Sequence, residues 1–240
     1  MATLTIANRF HGPPQSANGG YFSGLVAGLT QQTLRVRLLR PPPLDTELQV
    51  KEQPDGSLAV LDGETLIGQA WPATIDLDVP APPSREEAIE ASRRYAGFEW
   101  HPFPTCFVCG PHRERGDGLR IFAGRVAGRS LVAAPWTPDP SLDRGDGKVR
   151  PEFMWAALDC PGNFAIGQTG RIIVLGEFTA HADRLVHVDE RCTVIGWHLQ
   201  SSGRKHEVGT AIFDEDGELC GRARALWIEP AASATTAPKR

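Results

Sequence analysis

The sequence predicts an α+β protein made of two similar halves, each a buried helix wrapped by an antiparallel sheet. Three observations carry this. Residues 19–31 and 151–166 have helical spacing but are apolar almost all round, so neither helix can stand without a sheet against it. Each is followed by a meander of short strand-like runs with Gly- and Asp-containing turns. The order lead-in strand, loop, helix, strands occurs twice in 240 residues, as a repeat of pattern rather than of residue identity.

TLTIANRF, residues 3–10, reads as a short strand, and HGPPQSANGG as a loop. Asn18 suits a helix cap, and Gly19 and Gly20 let another group approach the first turn that follows. In YFSGLVAGLTQQ the small residues Gly24, Ala27 and Gly28 offer a face against which another element can pack closely. LRVRLL, ELQVKEQ, SLAVLDG and ETLIGQAW then read as strands, with hairpin turns at Asp55-Gly56 and Asp62-Gly63. Pro80, Pro82 and Pro83 mark a boundary. Ser84 and Glu87, at capping-box spacing, open a linking helix with a solvated face. The expected organisation is residues 1–80 as the first half, 81–100 as linker, 101–230 as the second half and 231–240 as a disordered tail.

The second half opens with an irregular loop, FEWHPFPTCFVCGPHRERGDG, followed by strands GLRIFAGRV and GRSLVAAPW. The helix over 151–166 starts at Pro151, where a missing N–H costs nothing. Phe153, Ala156, Ala157, Cys160 and Phe164 form its apolar stripe, widened by Trp155, Leu158 and Ala165. Asp159 sits inside this stripe. A carboxylate there either finds a strong partner or is desolvated and holds its proton more tightly. Pro161 and Gly162 predict a kink or an end, which places Asp159 near a helix C-terminus, where the dipole disfavours negative charge. Such a residue suits a general base or nucleophile; the competing reading is a carboxylate that caps a local turn. RIIVLGEFTAHA, ERCTVIGWHLQ, KHEVGTAIFD and ELCGRARALWIEP complete the second meander, with a tight turn at Asp216-Gly217.

A hydrophobic content of 41% supports one large domain or two small ones. The net charge of −4 comes without a basic stripe, which argues against nucleic acid and anionic membrane as partners. No apolar run approaches a membrane span, and MATLTIANRF lacks the apolar core of a signal peptide. Five cysteines, two of them in apolar strand-like runs, fit reduced thiols in a cytoplasm better than a disulfide framework.

The segment from Gly176 to Pro230 resembles the back half of a hotdog domain, with Asp189-Glu190 in place of the usual Gly-Asp turn. PEFMWAALDCPG resembles the helix of phenylacetate-pathway thioesterases, whose pattern is His-Gly-Gly, apolar residues, then an Asp; Asp159 falls on that Asp. NGGYFSGLVAG resembles the same pattern: Gly19 and Gly20 fall on the paired glycines, Asn18 replaces the His, and Ala27 stands where the Asp would be. Arg150-Pro151-Glu152 replaces the His-Gly-Gly of the second half. The resemblance implies a double hotdog, a pseudo-dimer in one chain. It keeps one composite site, with the acid from one half and backbone N–H groups at a helix N-terminus from the other. The implied activity is hydrolysis of an acyl-CoA or acyl-carrier thioester, with no cofactor beyond the coenzyme A of the substrate. Pairing of such chains into a homodimer is compatible with it. The alternatives are a non-catalytic acyl-CoA binding or sensing module and a hydratase of the same fold.

The site expected on these grounds is Asp159 with Gly19 and Gly20, and Asn18, Glu177, Thr179 and Trp155 around the substrate. Glu177 and Thr179 share one face of a strand and either orient a water or form an ordinary sheet edge. His101, Cys106, Cys109 and His112 are spaced like a compact metal knuckle. Similar Cys-Phe-x-Cys-Gly stretches occur in bacterial hotdog proteins without an implied metal, so the loop is expected to be metal-free and to line the mouth of an acyl pocket. No G-x-S-x-G, Walker or dinucleotide glycine pattern is present.

Overall fold

The computed structural model describes residues 2–30, 32–167 and 170–231. Its elements are β1 (Ala2–Thr5), α1 (Gly19–Ala27), β2 (Leu34–Leu38), β3 (Glu47–Glu52), β4 (Leu58–Asp62), β5 (Thr65–Pro72), α2 (Arg85–Arg93), β6 (Gly124–Arg125), β7 (Leu131–Trp136), α3 (Pro151–Ala157), α4 (Cys160–Ile166), β8 (Val174–Ala182), β9 (Cys192–Ser202), β10 (Lys205–Phe213) and β11 (Leu219–Ile228). The strands form one eleven-stranded sheet in the order β1-β3-β4-β5-β2-β8-β11-β10-β9-β7-β6. Five strands from residues 2–72 make one side and six from residues 124–228 the other. They meet where β2 pairs antiparallel with β8, Val36 opposite Phe178.

Alternation along the strands decides which face holds the helices. Leu34 and Val36 are buried while Arg35 and Arg37 are exposed; across the junction Phe178 is buried while Glu177 and Thr179 face the other way. The buried face packs on α1 and α3 in one continuous core. The helices touch through glycines. A Cβ on Gly24 would lie 2.7 Å from the Glu152 Cα and 2.8 Å from the Trp155 Cβ. On Gly20 it would lie 2.5 Å from the Asp159 Cβ and 2.7 Å from the Trp155 carbonyl oxygen. The small-residue face expected of the first helix thus meets the second.

The helix expected over 151–166 is broken into α3 and α4. Leu158 closes the first, and Asp159 stands between them at φ −78°, ψ −75°. Pro161 is the cause, because it has no N–H to donate back to the preceding turn. Asp159 does follow a helix C-terminus, as expected, but its side chain reaches away to the N-terminus of α1.

Two other expectations need revision. Residues 118–123 are not a strand: the Leu119 and Ile121 N–H groups donate to the Phe107 and Val108 carbonyls, and Arg120 at φ 54° breaks the extended backbone. β6 is correspondingly only two residues long. α1 ends at Ala27, capped by Gly28, and Gln31 lies outside the described residues, as do most of the tail and Gln168. α2 covers the side of the sheet opposite α1 and α3, where Ala88 and Ala91 pack on Ala133, Ile195 and Ala211. Its capping box is formed as expected: the Glu87 N–H donates to the Ser84 hydroxyl and the Ser84 N–H to the Glu87 carboxylate. Asp189, where the resemblance placed a glycine, takes φ 63°. Among the described residues no helix is long and apolar enough to cross a membrane.

Gly24→Ala opposes two effects. Alanine gains about 1 kcal/mol in an exposed helix interior. Here the added methyl meets the backbone of α3, which cannot move without separating the helices. Overpacking wins, and urea denaturation should show a net loss of about 1–3 kcal/mol; unchanged or increased stability would contradict the close helix contact.

Candidate functional site

Asn18 caps α1, its side-chain oxygen accepting from the Tyr21 N–H at 2.9 Å. That bond fixes the amide and turns Nδ2 the other way, where it donates to Asp159 Oδ2 at 2.8 Å. The Gly20 N–H, in the first turn of the same helix, donates to the same oxygen at 2.9 Å. The acid from residue 159 and the helix N-terminus from residues 18–20 are therefore in direct contact. Asp159 Oδ1 is buried with no hydrogen-bond partner.

Asp159 is 1% exposed. Burial raises its carboxyl to about 7, against the opposing pull of the Gly20 N–H and the Asn18 amide, while the Cys106 sulfur reinforces the rise. The α1 N-terminus favours the ionised form, a dipole effect opposite to the one expected from α3 alone.

Asp159, Asn18 and Gly19 line one cleft of about 900 Å³, its open mouth included. Its walls are largely apolar, with Leu38, Pro42, Phe103, Ile173, Leu175 and Trp227 among the lining residues. Arg40 supplies an exposed cation at its rim. The expected role of the loop around residues 101–109 as part of the cleft wall agrees with this: His101, Cys106 and Cys109 line it.

Not every expected residue arrives here. Glu177 accepts from Arg37 Nε at 3.1 Å and Nη2 at 3.0 Å on the far face of the sheet, and Thr179 shares that face. They belong to neither reading: β8 is a central strand, and the two residues lie on the sheet face away from α1 and α3. Trp155 is a packing residue, its ring edge-on to Phe178 at 5.6 Å and its Cβ against Gly24. None of the three lines the cleft. The Gly20 N–H, expected to face a substrate carbonyl, is engaged by Asp159, which leaves Gly19 as the glycine of the pair on the cleft wall.

His101, Cys106, Cys109 and His112 do not converge as a set. His112 is exposed, and its backbone N–H donates to the Pro104 carbonyl at 2.9 Å. Cys160 takes its place beside the two cysteines. The Cys106 thiol is held well below its usual range by hydrogen bonding from Cys109 and Cys160, whose own thiols are pushed up, in Cys109 chiefly by burial. Arg40, Cys160 and Trp227 carried no sequence signal for this cleft. Periodicity assigns Cys160 and Trp227 to the core, and Arg40 reads as a charge before a proline run.

Comparison with solved structures extends along nearly the whole chain. The tesB protein of Mycobacterium avium subs paratuberculosis aligns with a TM-score of 0.62 at 14% identity, over 95% of this chain and 92% of that one. A conserved protein of unknown function with hot dog fold from Alicyclobacillus acidocaldarius aligns at 0.60 and 12% identity, over 95% and 92%. This chain has a hotdog fold. An acyl-CoA thioesterase II, TesB2, from Mycobacterium marinum aligns at 0.60 and 14% identity, over 97% of this hotdog chain and 94% of its own. At such identities the likeness is one of fold. No family model and no curated protein matches the sequence.

Asn18→Ala removes both the cap of α1 and a donor to a buried carboxylate. The cap alone is worth about 1 kcal/mol and the charged hydrogen bond about 1.5–3. Urea denaturation should show a loss of at least about 2 kcal/mol near neutral pH; a loss confined to a few tenths would mean that Asn18 does not hold Asp159.

Proposed function

We propose that this chain is a double hotdog that hydrolyses an acyl thioester, carried by coenzyme A or an acyl carrier protein, at one composite site. One observation carries the reading. A fully buried carboxylate with an unpartnered oxygen lies on the wall of an apolar cleft, against a helix N-terminus contributed by the other half of the chain. The acyl-CoA thioesterase II named above, of the same fold, makes the chemistry a natural one for this architecture.

In this reading the acyl chain lies along Leu38, Ile173 and Leu175, and Arg40 at the rim meets a phosphate of the carrier. Asp159 Oδ1 takes a proton from a water as the water oxygen attacks the thioester carbonyl carbon. The developing oxyanion is stabilised at the first turn of α1, where Gly19 lines the cleft. The carbon–sulfur bond breaks, and the thiolate leaves with the proton that Asp159 took. A group protonating near pH 7 suits both transfers. The carrier arrives on the substrate, and the hydrolysis itself calls for no redox cofactor.

A binding-only module is the second reading. What favours it is that Asp159 Oδ2 accepts both bonds at the start of α1, as a carboxylate kept for capping would.

The test is a panel of acyl-CoA thioesters of increasing chain length, with free thiol release as the readout. Wild type should hydrolyse at least one. Asp159→Asn keeps the shape and both donors' acceptor, and should reduce kcat by about 100-fold or more. Its Tm should be equal or higher, because a desolvated charge is relieved. Tight binding of acyl-CoA with no turnover by wild type would favour the module, and full activity in Asp159→Asn would overturn the hydrolytic reading.

A further inference from the structure

The sulfurs of Cys106, Cys109 and Cys160, all buried, lie within 4.8 Å of one another. The Cys106 and Cys160 sulfurs are 3.8 Å apart. That is too long for a disulfide, whose sulfurs sit ~2.05 Å apart. It matches two sulfurs on one tetrahedral zinc, where bonds of ~2.3 Å place them ~3.8 Å from each other.

Two of the three sulfurs have an N–H donor close by. The chain turns tightly from Cys106 to Gly110, the Gly110 N–H donating to the Cys106 carbonyl at 2.9 Å, which sets Cys109 beside Cys106. Asn18 Nδ2 lies 3.8 Å from the Cys160 sulfur. For Cys109 the donor is His101, and its tautomer can be assigned. The Phe103 N–H donates to His101 Nδ1 at 2.9 Å, so the proton of the neutral ring is on Nε2, 3.3 Å from the Cys109 sulfur. His101 is thereby excluded as a ligand through Nε2 and acts instead as a donor to a ligand, the usual outer partner of a metal thiolate. Three thiolates so close repel one another unless a cation lies between them.

We propose that Cys106, Cys109 and Cys160 bind one zinc ion through three thiolates. All three cysteines line the cleft, so a solvent molecule from the cleft completes the tetrahedron. Loss of three thiol protons accompanies binding, and the ion ties the 101–110 loop to the start of α4, next to Asp159. The sequence-based expectation of a metal-free loop weighed a different set, in which His112 stood where Cys160 stands. The inference rests on the placement of the cysteines and is independent of thioester hydrolysis.

The experiment uses the full chain, purified with a phosphine reductant and no chelator. Elemental analysis should give one zinc per chain. Removal with a chelator should lower the Tm, and zinc should restore it. Reloading with Co(II) should produce the near-ultraviolet sulfur-to-cobalt charge-transfer band and the intense visible bands of a tetrahedral site. Cys106→Ser and Cys160→Ser should lose the metal, while His112→Ala and Cys192→Ala keep it. If the serine variants fail to fold, the cobalt spectrum of wild type still decides. Absence of zinc after incubation with excess ion under reducing conditions, a cobalt spectrum without sulfur bands, or metal retained in Cys160→Ser would each overturn the site.

Discussion

The contact between Asp159 and the first turn of α1 is the constraint around which the molecule is arranged. Burying a carboxylate costs several kcal/mol. The two charge-assisted hydrogen bonds return about 1.5–3 kcal/mol each, and a helix N-terminus up to ~2. Burial outweighs the two bonds, which is why the group holds its proton to about 7. To make the contact at all, the backbones of α1 and α3 must come closer than any side chain larger than hydrogen permits at positions 20 and 24. The sheet follows from this, since two helices so close and so apolar need one continuous surface to cover them, and the β2–β8 ladder supplies it.

Much of this was legible in the residues. An acid in an otherwise apolar helix, and paired glycines after a capping Asn, each advertise a departure from ordinary packing, so Asp159, Asn18 and Gly20 were found. The meanders were legible because strand alternation and Asp-Gly turns are local signals. The misses have a common physical origin: they depend on what lies across space. Nothing near residue 177 tells which sheet face will hold the helices, and Glu177 and Thr179 went to the wrong one. Arg120 has no local mark of its positive φ, so residues 118–123 read as a strand. Cys160 belongs to a helical stripe by periodicity, yet the break at Pro161 brings it beside a loop more than fifty residues upstream.

The Asp159 contact is tied to Cys160, the neighbour of Cys106 in the 101–110 loop, through one residue. Asn18 uses one side-chain oxygen to start α1, and its nitrogen lies between the carboxylate of Asp159 and the sulfur of Cys160. A single amide thus orders a helix, an acid and a thiol at the same wall of the cleft. A change in any one would be felt by the others through the orientation of one planar group.

The start of α3 differs in kind from the start of α1. Its cap, Arg150, makes no side-chain cap hydrogen bond, and its first residue is a proline without an N–H; at the matching place on α1 stands Ala27. Two copies of a symmetric domain would present a pair of equivalent cavities, and occupancy of one could then tune the other. Here the start of α3 offers no counterpart of Asn18 and the Gly19-Gly20 pair. The start of α3 is therefore not built to hold a carboxylate as α1 does, and the two helices cannot exchange roles.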